Sequence, residues 1–410
     1  MTVRAPLALE PISTEAAADL IRDTALRPGA VGRVGLELEG QFVEFAAPGV
    51  GPDWSRLTAL APVIEAAAGD SALTFEPGGQ VELSGPPADD IVTAVETLRA
   101  DAQRVRLALA EHDAGLAWLG ADPLRAPRRV NPRPRYVAMA QHFAAVGAGR
   151  AGATMMCSTA ALQVNLEAGP VDGWADRVTL AQRLGPTLCA LSACSRWLSG
   201  SDTGSPSARE LAWSGLRENP RPGPDPVEEW VRYAFAAPVM FCADHGDARP
   251  VMSRVPFADW VSGRVRLDDR LPTARDLTNH LSTLFPPVRL RGYLELRYFD
   301  VSPPRWWPAV AAVATVLLDD PVAADAVHDV VAPVGGLWAQ AARDGLRDPR
   351  LAAAARRCTE IAAARVPAQL RTAVEDLAEL VASGRCPGDL VAERIAEVGP
   401  AATFAELAHA

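Results

Sequence analysis

Hydrophobic and polar residues alternate with a two-residue period in several short stretches of this chain. From Val34 to Phe45, Val34, Leu36, Leu38 and Phe42 share one parity while Glu37, Glu39 and Gln41 take the other. That is the repeat of a half-buried strand with one greasy and one acidic face. Leu73-Thr74-Phe75-Glu76 continues it, and after Pro77-Gly78-Gly79 so does Gln80 to Gly85, where Val81 and Leu83 oppose Glu82. Ala160 to Glu167 sets Leu162, Val164 and Leu166 against Gln163 and Asn165, and Tyr293 to Phe299 sets Leu294 and Leu296 against Glu295 and Arg297. Ser13-Thr14-Glu15 followed by an Ala/Leu/Ile run predicts a capped helix that Arg27-Pro28-Gly29 ends. Ile91 to Leu119 and Trp174 to Leu198 have the helical spacing needed to cover the apolar face, with Trp306-Trp307 packing at the sheet's edge. Beyond Trp306 the chain is Ala-, Leu- and Arg-rich, broken at Pro321, Gly335-Gly336, Pro367 and Gly384, and carries no strand signal. The pattern predicts an α+β chain: residues 1–310 as a strand-bearing unit and residues 311–410 as a helical region packed on it.

Composition narrows the chemistry. The 410 residues are 49% apolar and 22% charged, as in an ordinary packed protein. All forty basic residues are Arg, which excludes a phosphate-loop lysine, a Schiff-base lysine and the lysine-dependent kinase and β-lactamase signatures. A net charge of -10 without a basic run argues against a nucleic-acid or anionic-membrane partner. Met1 to Glu10 lacks the pattern of a secretory signal, and the longest apolar run, Ala309 to Leu318, is about half of the ~20 residues a membrane span needs. Six scattered cysteines with no C-x-x-C pair read as reduced thiols of a cytoplasmic protein. No obligate protein partner is evident.

Two motif matches lead nowhere. Gly147 to Gly152 fits G-x-G-x-x-G, but it follows a helical stretch and no acidic residue stands ~20 positions on, so a dinucleotide site is not expected. Asp202-Thr203-Gly204 has no second copy with which to form a protease dyad and reads as a turn.

The polar strand faces carry the stronger signal. If the strands share a sheet, Glu37, Glu39, Glu76, Glu82 and Glu295 crowd one surface with Gln163, Asn165 and Arg297. Like charges at short range either raise their pKa values or require cations. Oxygen donors select Mg²⁺ or Mn²⁺, ions that keep positions for substrate phosphates. Arg297, on the same face as Glu295, would meet charge building on a transferring phosphoryl group. A solvated face of an antiparallel sheet shows the same alternation.

Longer words separate the two readings. Glu76-Pro77-Gly78-Gly79-Gln80-Val81-Glu82-Leu83-Ser84-Gly85, Pro134-Arg135-Tyr136, Gln163-Val164-Asn165-Leu166, Asn279-His280-Leu281-Ser282-Thr283-Leu284-Phe285-Pro286-Pro287-Val288-Arg289-Leu290 and Tyr293-Leu294-Glu295-Leu296-Arg297 occur in that order. Together they resemble the glutamate–cysteine ligases of the plant and bacterial type, over about Val34 to Asp300, and most resemble the actinobacterial branch linked to ergothioneine synthesis. The resemblance implies a glutamine-synthetase-like, curved and mainly antiparallel catalytic sheet with helices on its apolar face, and L-glutamate, L-cysteine and ATP with Mg²⁺ as reactants. It implies Glu37, Glu39, Glu76, Glu82 and Glu295 as metal ligands, Arg297 with Glu295 as the catalytic pair, and Gln163 as a metal or nucleotide contact. Arg135, Tyr136, Arg209, Arg289 and Asn165 become substrate-binding candidates. Phe299-Asp300-Val301-Ser302 departs from the plant pattern, which has a glycine-containing loop there, so the resemblance carries glutamate activation further than cysteine recognition. His280 reads equally as a phosphate donor or as a structural histidine. The rival functions are a guanidino phosphotransferase on the same type of sheet and a non-catalytic nucleotide-binding module.

Overall fold

The computed structural model describes residues 10–220, 223–244 and 247–409. Seven strands form one sheet: β1 (Val34–Glu44), β2 (Ala72–Phe75), β3 (Val81–Ser84), β4 (Ala114–Ala117), β5 (Ala161–Glu167), β6 (Val288–Leu290) and β7 (Tyr293–Asp300). Their order is β6-β7-β5-β1-β3-β2, with β4 on the far half of β1, and every pairing is antiparallel.

Val34, Leu36 and Leu38 of β1, Val81 and Leu83 of β3, Leu162, Val164 and Leu166 of β5, and Leu294 and Leu296 of β7 are all buried in one core. The helices Ile91–Ala110, Trp174–Ser192 and Trp307–Asp319 supply the other side of that core, with Leu98 and Val105, Leu184 and Leu188, and Val310, Val313 and Leu317. Removing this apolar surface from water at about 25 cal/mol per Å² is what holds the helices to the sheet. The helix Thr14–Ala25 is capped as the sequence predicts, the Ser13 side chain accepting from the Ala16 N–H.

Several expectations need correction. The predicted helix Ile91 to Leu119 ends at Ala110, turns at Asp113 in the left-handed region (φ 55°), and becomes β4. The Trp174 helix stops at Ser192, before a small hairpin pairing Trp197–Leu198 with Ser201–Asp202. The expected boundary at 310/311 falls inside the helix Trp307–Asp319, whose side chains belong to the same core as the sheet. Trp306 and Trp307 are likewise core residues rather than edge packing. All six cysteines are free, and Asp202 makes the expected turn, accepting from the Gly204 N–H at 2.8 Å.

A second, smaller core flanks the polar face of the sheet. Met139 and Phe143 of the helix Pro134–Ala145, Met155 and Met156 of the helix Gly149–Ser158, Trp213 of the helix Ala208–Ser214, and Met240 with Phe241 pack together there. No helix among the described residues is long and apolar enough to cross a membrane.

Candidate active site

Strand register puts the polar residues in ranks across the sheet. Glu295 stands opposite Asn165, and Asn165 opposite Gly35. Gln163 stands opposite Glu37, and Glu37 opposite Ser84. Glu39 stands opposite Glu82, and Glu82 opposite Thr74. A one-residue slip would send all of them into the core, so the apolar face specifies this arrangement. Gly35 has a local reason: a Cβ there would lie 3.3 Å from the Asn165 Cβ, crowding the side chain that crosses to Glu37.

The carboxylates are held individually. Asn165 Nδ2 donates to Glu37 at 2.9 Å; Gln163 Nε2 and the Ala161 N–H donate to Glu39 at 3.1 and 2.7 Å. Thr74 and Ser84 hydroxyls donate to Glu82 at 2.8 and 3.2 Å. Glu37, Glu39, Glu76 and Glu82 are half-buried. Burial, then repulsion from Glu82 and Glu295, pushes the Glu37 carboxyl up to about 7. Burial and Glu82 push Glu39 up to about 7 as well, and burial with Glu82 and Glu39 holds Glu76 well above the carboxylate range. Arg297 acts against the rise at Glu37, Glu39 and Glu76, joined by Arg209 at Glu39 and by Arg135 at Glu76, but burial and mutual repulsion outweigh these cations. Among the described residues, no three or more His, Cys, Asp or Glu side chains stand close enough together to hold an ion by themselves.

Glu295 is different. It is 1% exposed, and Arg289 grips it with a fork, Nε to one oxygen and Nη2 to the other at 2.8 Å. Arg297 Nη1 adds a contact at 3.2 Å. Burial opposes ionisation of Glu295, but Arg289 and Arg297 outweigh it and hold the carboxyl down at about 2. The candidate metal ligand thus has both oxygens engaged by guanidinium groups.

Arg297 also donates through Nη1 to Gln163 Oε1. Between Leu296 and Phe299 the register of β7 on β5 shifts by one residue. This bulge puts Phe299 on the apolar parity and Asp300, opposite Ala161, on the polar one, as bulges near functional sites often re-aim side chains. Asp300 accepts from the Cys194 N–H at 2.8 Å and from the Ser195 and Ser207 hydroxyls at 2.6 and 3.0 Å. Phe299, Asp300, Val301 and Ser302, the segment that departs from the plant pattern, are at most 1% exposed and belong to the core.

The other predicted residues divide. Arg135 and Tyr136 stand beside Glu76: Arg135 donates to Ser282 Oγ at 3.2 Å and its Nε is buried without a partner, while burial and Glu76 push the Tyr136 phenol up to about 12. Asn165 keeps a buried, unpartnered Oδ1. Arg209 and Arg289, predicted to hold substrate, contact the protein itself, although the Arg209 Nε and Nη1 are buried without a hydrogen-bond partner. Arg209, 1% exposed, donates to the Arg297 carbonyl at 2.7 Å, and Arg289 donates to the Leu284 carbonyl as well as to Glu295. His280 is structural: its Nε2 meets the Ala234 carbonyl at 2.8 Å, its ring stacks on Phe257 at 4.8 Å, and burial holds it down at about 4. Cys157 packs against the second core, and burial pushes its thiol up to about 12.

Gln41 and Gln80 continue the polar parity past Glu39 and Glu82, and both are buried, donating to the Ser158 and Thr159 carbonyls. A cavity of about 490 Å³ lies at that end, lined by Gly51, Gly78, Gly79, Asp122, Arg125 and Arg128 among others. Sequence reasoning gave no role to Trp213, and it named Asp300 only within the segment that departs from the plant pattern; the break in alternation at Tyr298-Phe299 was a second signal for it.

A family model for glutamate–cysteine ligase family 2 matches residues 33–404. The chain is 47% identical over 414 residues to glutamate–cysteine ligase EgtA of Mycobacterium tuberculosis, covering 99% of this chain and 96% of that one. It is 29% identical over 307 residues to the chloroplastic glutamate–cysteine ligase of Arabidopsis thaliana, covering 72% and 57%. Among solved structures, a glutamate–cysteine ligase from Francisella tularensis in complex with AMP superposes with a TM-score of 0.57 at 13% identity, covering 93% of this chain and 88% of that one. A bifunctional glutathione synthetase from Pasteurella multocida gives 0.55 at 17% identity, covering 96% and 52%. The antiparallel sheet, its helix-backed apolar face, the ordered words along it and these matches together make the chain a member of glutamate–cysteine ligase family 2.

Proposed function

We propose that this protein joins the γ-carboxylate of L-glutamate to the amine of L-cysteine, using ATP and passing through γ-glutamyl phosphate. The observation that carries the reading is the rank of crowded, half-buried carboxylates facing an arginine fixed to Glu295 and Gln163. The glutamate oxygen attacks the γ-phosphorus and ADP leaves; the cysteine amine then attacks the acyl carbon, loses a proton, and phosphate departs. No protein nucleophile is needed, and positioning with charge neutralisation carries such chemistry. We assign the product to the ergothioneine route, and the protein to the cytoplasm, on its resemblance to the actinobacterial branch.

Glu37, Glu39, Glu76 and Glu82 fit Mg²⁺ or Mn²⁺ in donor type and in charge, since all are oxygen donors that repel one another. Glu295, kept ionised by Arg289 and Arg297, would be the fifth oxygen donor of this set. The ions would neutralise the polyphosphate and draw electron density from the transferring group. Arg297 would contact that group from the strand face it shares with Glu295, and Gln163 would keep it aimed. Asn165 Oδ1 and the Arg135–Tyr136 pair are the groups left to hold the amino-acid substrates.

A pH-dependent response to metal follows. Glu37 and Glu39 titrate near 7 in the folded protein but near 4.5 when unfolded. The folded state then holds the extra protons, and the metal-free protein loses stability as pH rises through about 7. Melting of EDTA-treated protein is expected to fall between about pH 6.5 and about pH 8, a window in which His280 stays neutral. Added Mg²⁺ should raise it more at the upper pH. A Mg²⁺ effect equal at both pH values, or absent, would return the acid rank to a solvated face.

The function is tested by ADP release with Mg²⁺-ATP, L-glutamate and L-cysteine, and by mass identification of the dipeptide. Release that requires both amino acids and yields γ-glutamylcysteine is expected. Equal release without cysteine, or a phosphorylated guanidine as product, contradicts the assignment.

A further inference from the structure

Three guanidinium groups surround one indole. The Trp213 ring lies 5.6 Å from the Arg209 Cζ, 5.5 Å from that of Arg217 and 5.8 Å from that of Arg297. Each cation has its own carboxylate: Arg217 pairs with Glu210 at 2.7 Å, Arg209 lies 3.9 Å from Asp300, and Arg297 lies 3.2 Å from Glu295. The Nε atoms of all three arginines are buried without a hydrogen-bond partner, so the aromatic face is the electron-rich surface available to them. The Trp213 Nε1 is itself buried and unpartnered, which means that no hydrogen bond from the indole explains its placement. Phe285 closes the group, edge-on to Trp213 at 5.4 Å and 79°, with the Arg297 Cζ 5.9 Å from its ring.

We propose that Trp213 is a positioning residue whose indole face, backed by Phe285, fixes the plane of the Arg297 guanidinium for phosphoryl transfer. Arg297 Nη1 is committed to Gln163 and Glu295, and the Arg209 bond to the Arg297 carbonyl, at 2.7 Å, fixes the main chain beneath. Those holds act at one nitrogen and at the main chain, and a flat aromatic surface restrains the rest of the guanidinium. The helix Ala208–Ser214 supplies the residue, and Ser207 at its N-cap ties that helix to Asp300 at 3.0 Å. One short element thus grips Arg297 at its main chain through Arg209 and at its side chain through Trp213. This rests on the reading of Arg297 as the phosphoryl contact.

The test is a graded series at one position. Tryptophan with one and then three ring fluorines, installed at 213 alone, keeps the shape of the indole while weakening its electron-rich face. kcat should fall stepwise to about a tenth, the scale of a desolvated cation–π contact, with KM for ATP and glutamate within twofold and melting unchanged. Trp213→Phe should retain more turnover than Trp213→Leu, and in an Arg297→Lys background the Trp213→Leu loss should shrink to twofold or less. A second readout needs no turnover. The Arg297 Nε–Hε resonance, assigned by its loss in Arg297→Lys, should be ring-current shifted in the parent and should move in Trp213→Leu, or in the fluorinated proteins if Trp213→Leu does not fold. Failure of ADP release in the parent would remove the ligase reading and leave the resonance test standing. Equal kcat across the fluorinated series, a loss additive with Arg297→Lys, or an unmoved resonance would each overturn the role of Trp213.

Discussion

Replacing Arg297 by lysine is expected to lower kcat about a hundredfold or more while moving KM for ATP and glutamate only a few-fold. Lysine keeps the charge but loses the planar fork that touches two oxygens at once. In this protein the fork already spends Nη1 on Glu295 at 3.2 Å and on Gln163, so an ammonium could satisfy either the sheet or the phosphoryl group but not both. Removing a preorganised donor from developing charge typically costs ~3 kcal/mol. A loss confined to turnover marks an interaction made mainly in the transition state. Near-normal kcat, or inactivity that tracks unfolding by circular dichroism, would make Arg297 a structural partner of Glu295.

Alanine at Gly78 is expected to cut kcat/KM by tenfold to a hundredfold and to cost about 1–3 kcal/mol of stability, although only a methyl group is added. A Cβ at Gly78 would lie 2.3 Å from the Cys157 carbonyl oxygen and 2.6 Å from its Cα. Both are backbone atoms, so no rotamer change relieves the clash and the turn itself must move. That turn separates Glu76 from Glu82 and is pinned by Gln80, whose Oε1 accepts from the Gly78 N–H at 3.0 Å and whose Nε2 donates to the Thr159 carbonyl at 2.9 Å. Displacement by about 1 Å is enough to cost two orders of magnitude in a positioned reaction. Gly336→Ala, where no atom lies within 4 Å of the added carbon, is the control and should stay within twofold. Full activity and stability in Gly78→Ala would show that the turn has slack and that its acids need no fixed spacing.

The alternation along β1, β3, β5 and β7 was legible because each sets apolar side chains on one face against polar ones on the other, so parity put Glu37, Glu39, Glu82, Gln163, Asn165 and Glu295 on polar strand faces, and the sheet pairing brought those faces together. Strand β4 was not legible: all four residues of Ala114–Ala117 are buried, which erases the two-residue signal and leaves a short apolar run indistinguishable from helix. The bulge at Arg297–Tyr298 hid Asp300 for a related reason, since strict alternation assigns it to the wrong face. Arg209 and Arg289 show a different limit. A guanidinium that binds a substrate carboxylate and one that binds Glu295 or a main-chain carbonyl are the same residue in the sequence, and only packing separates them. Trp213 lies far along the chain from Arg297, and no local pattern brings the two together.

An acid-lined face that makes γ-glutamyl phosphate must pass a glutamate oxygen to the released phosphate, and isotope transfer detects it. L-Glutamate carrying ¹⁸O in its γ-carboxylate is turned over with Mg²⁺-ATP and L-cysteine, and the released phosphate is examined by mass. Phosphate carrying one ¹⁸O atom per turnover is predicted, because the carboxylate oxygen that attacks phosphorus leaves with it. Unlabelled phosphate accompanying dipeptide formation would contradict the acyl-phosphate route.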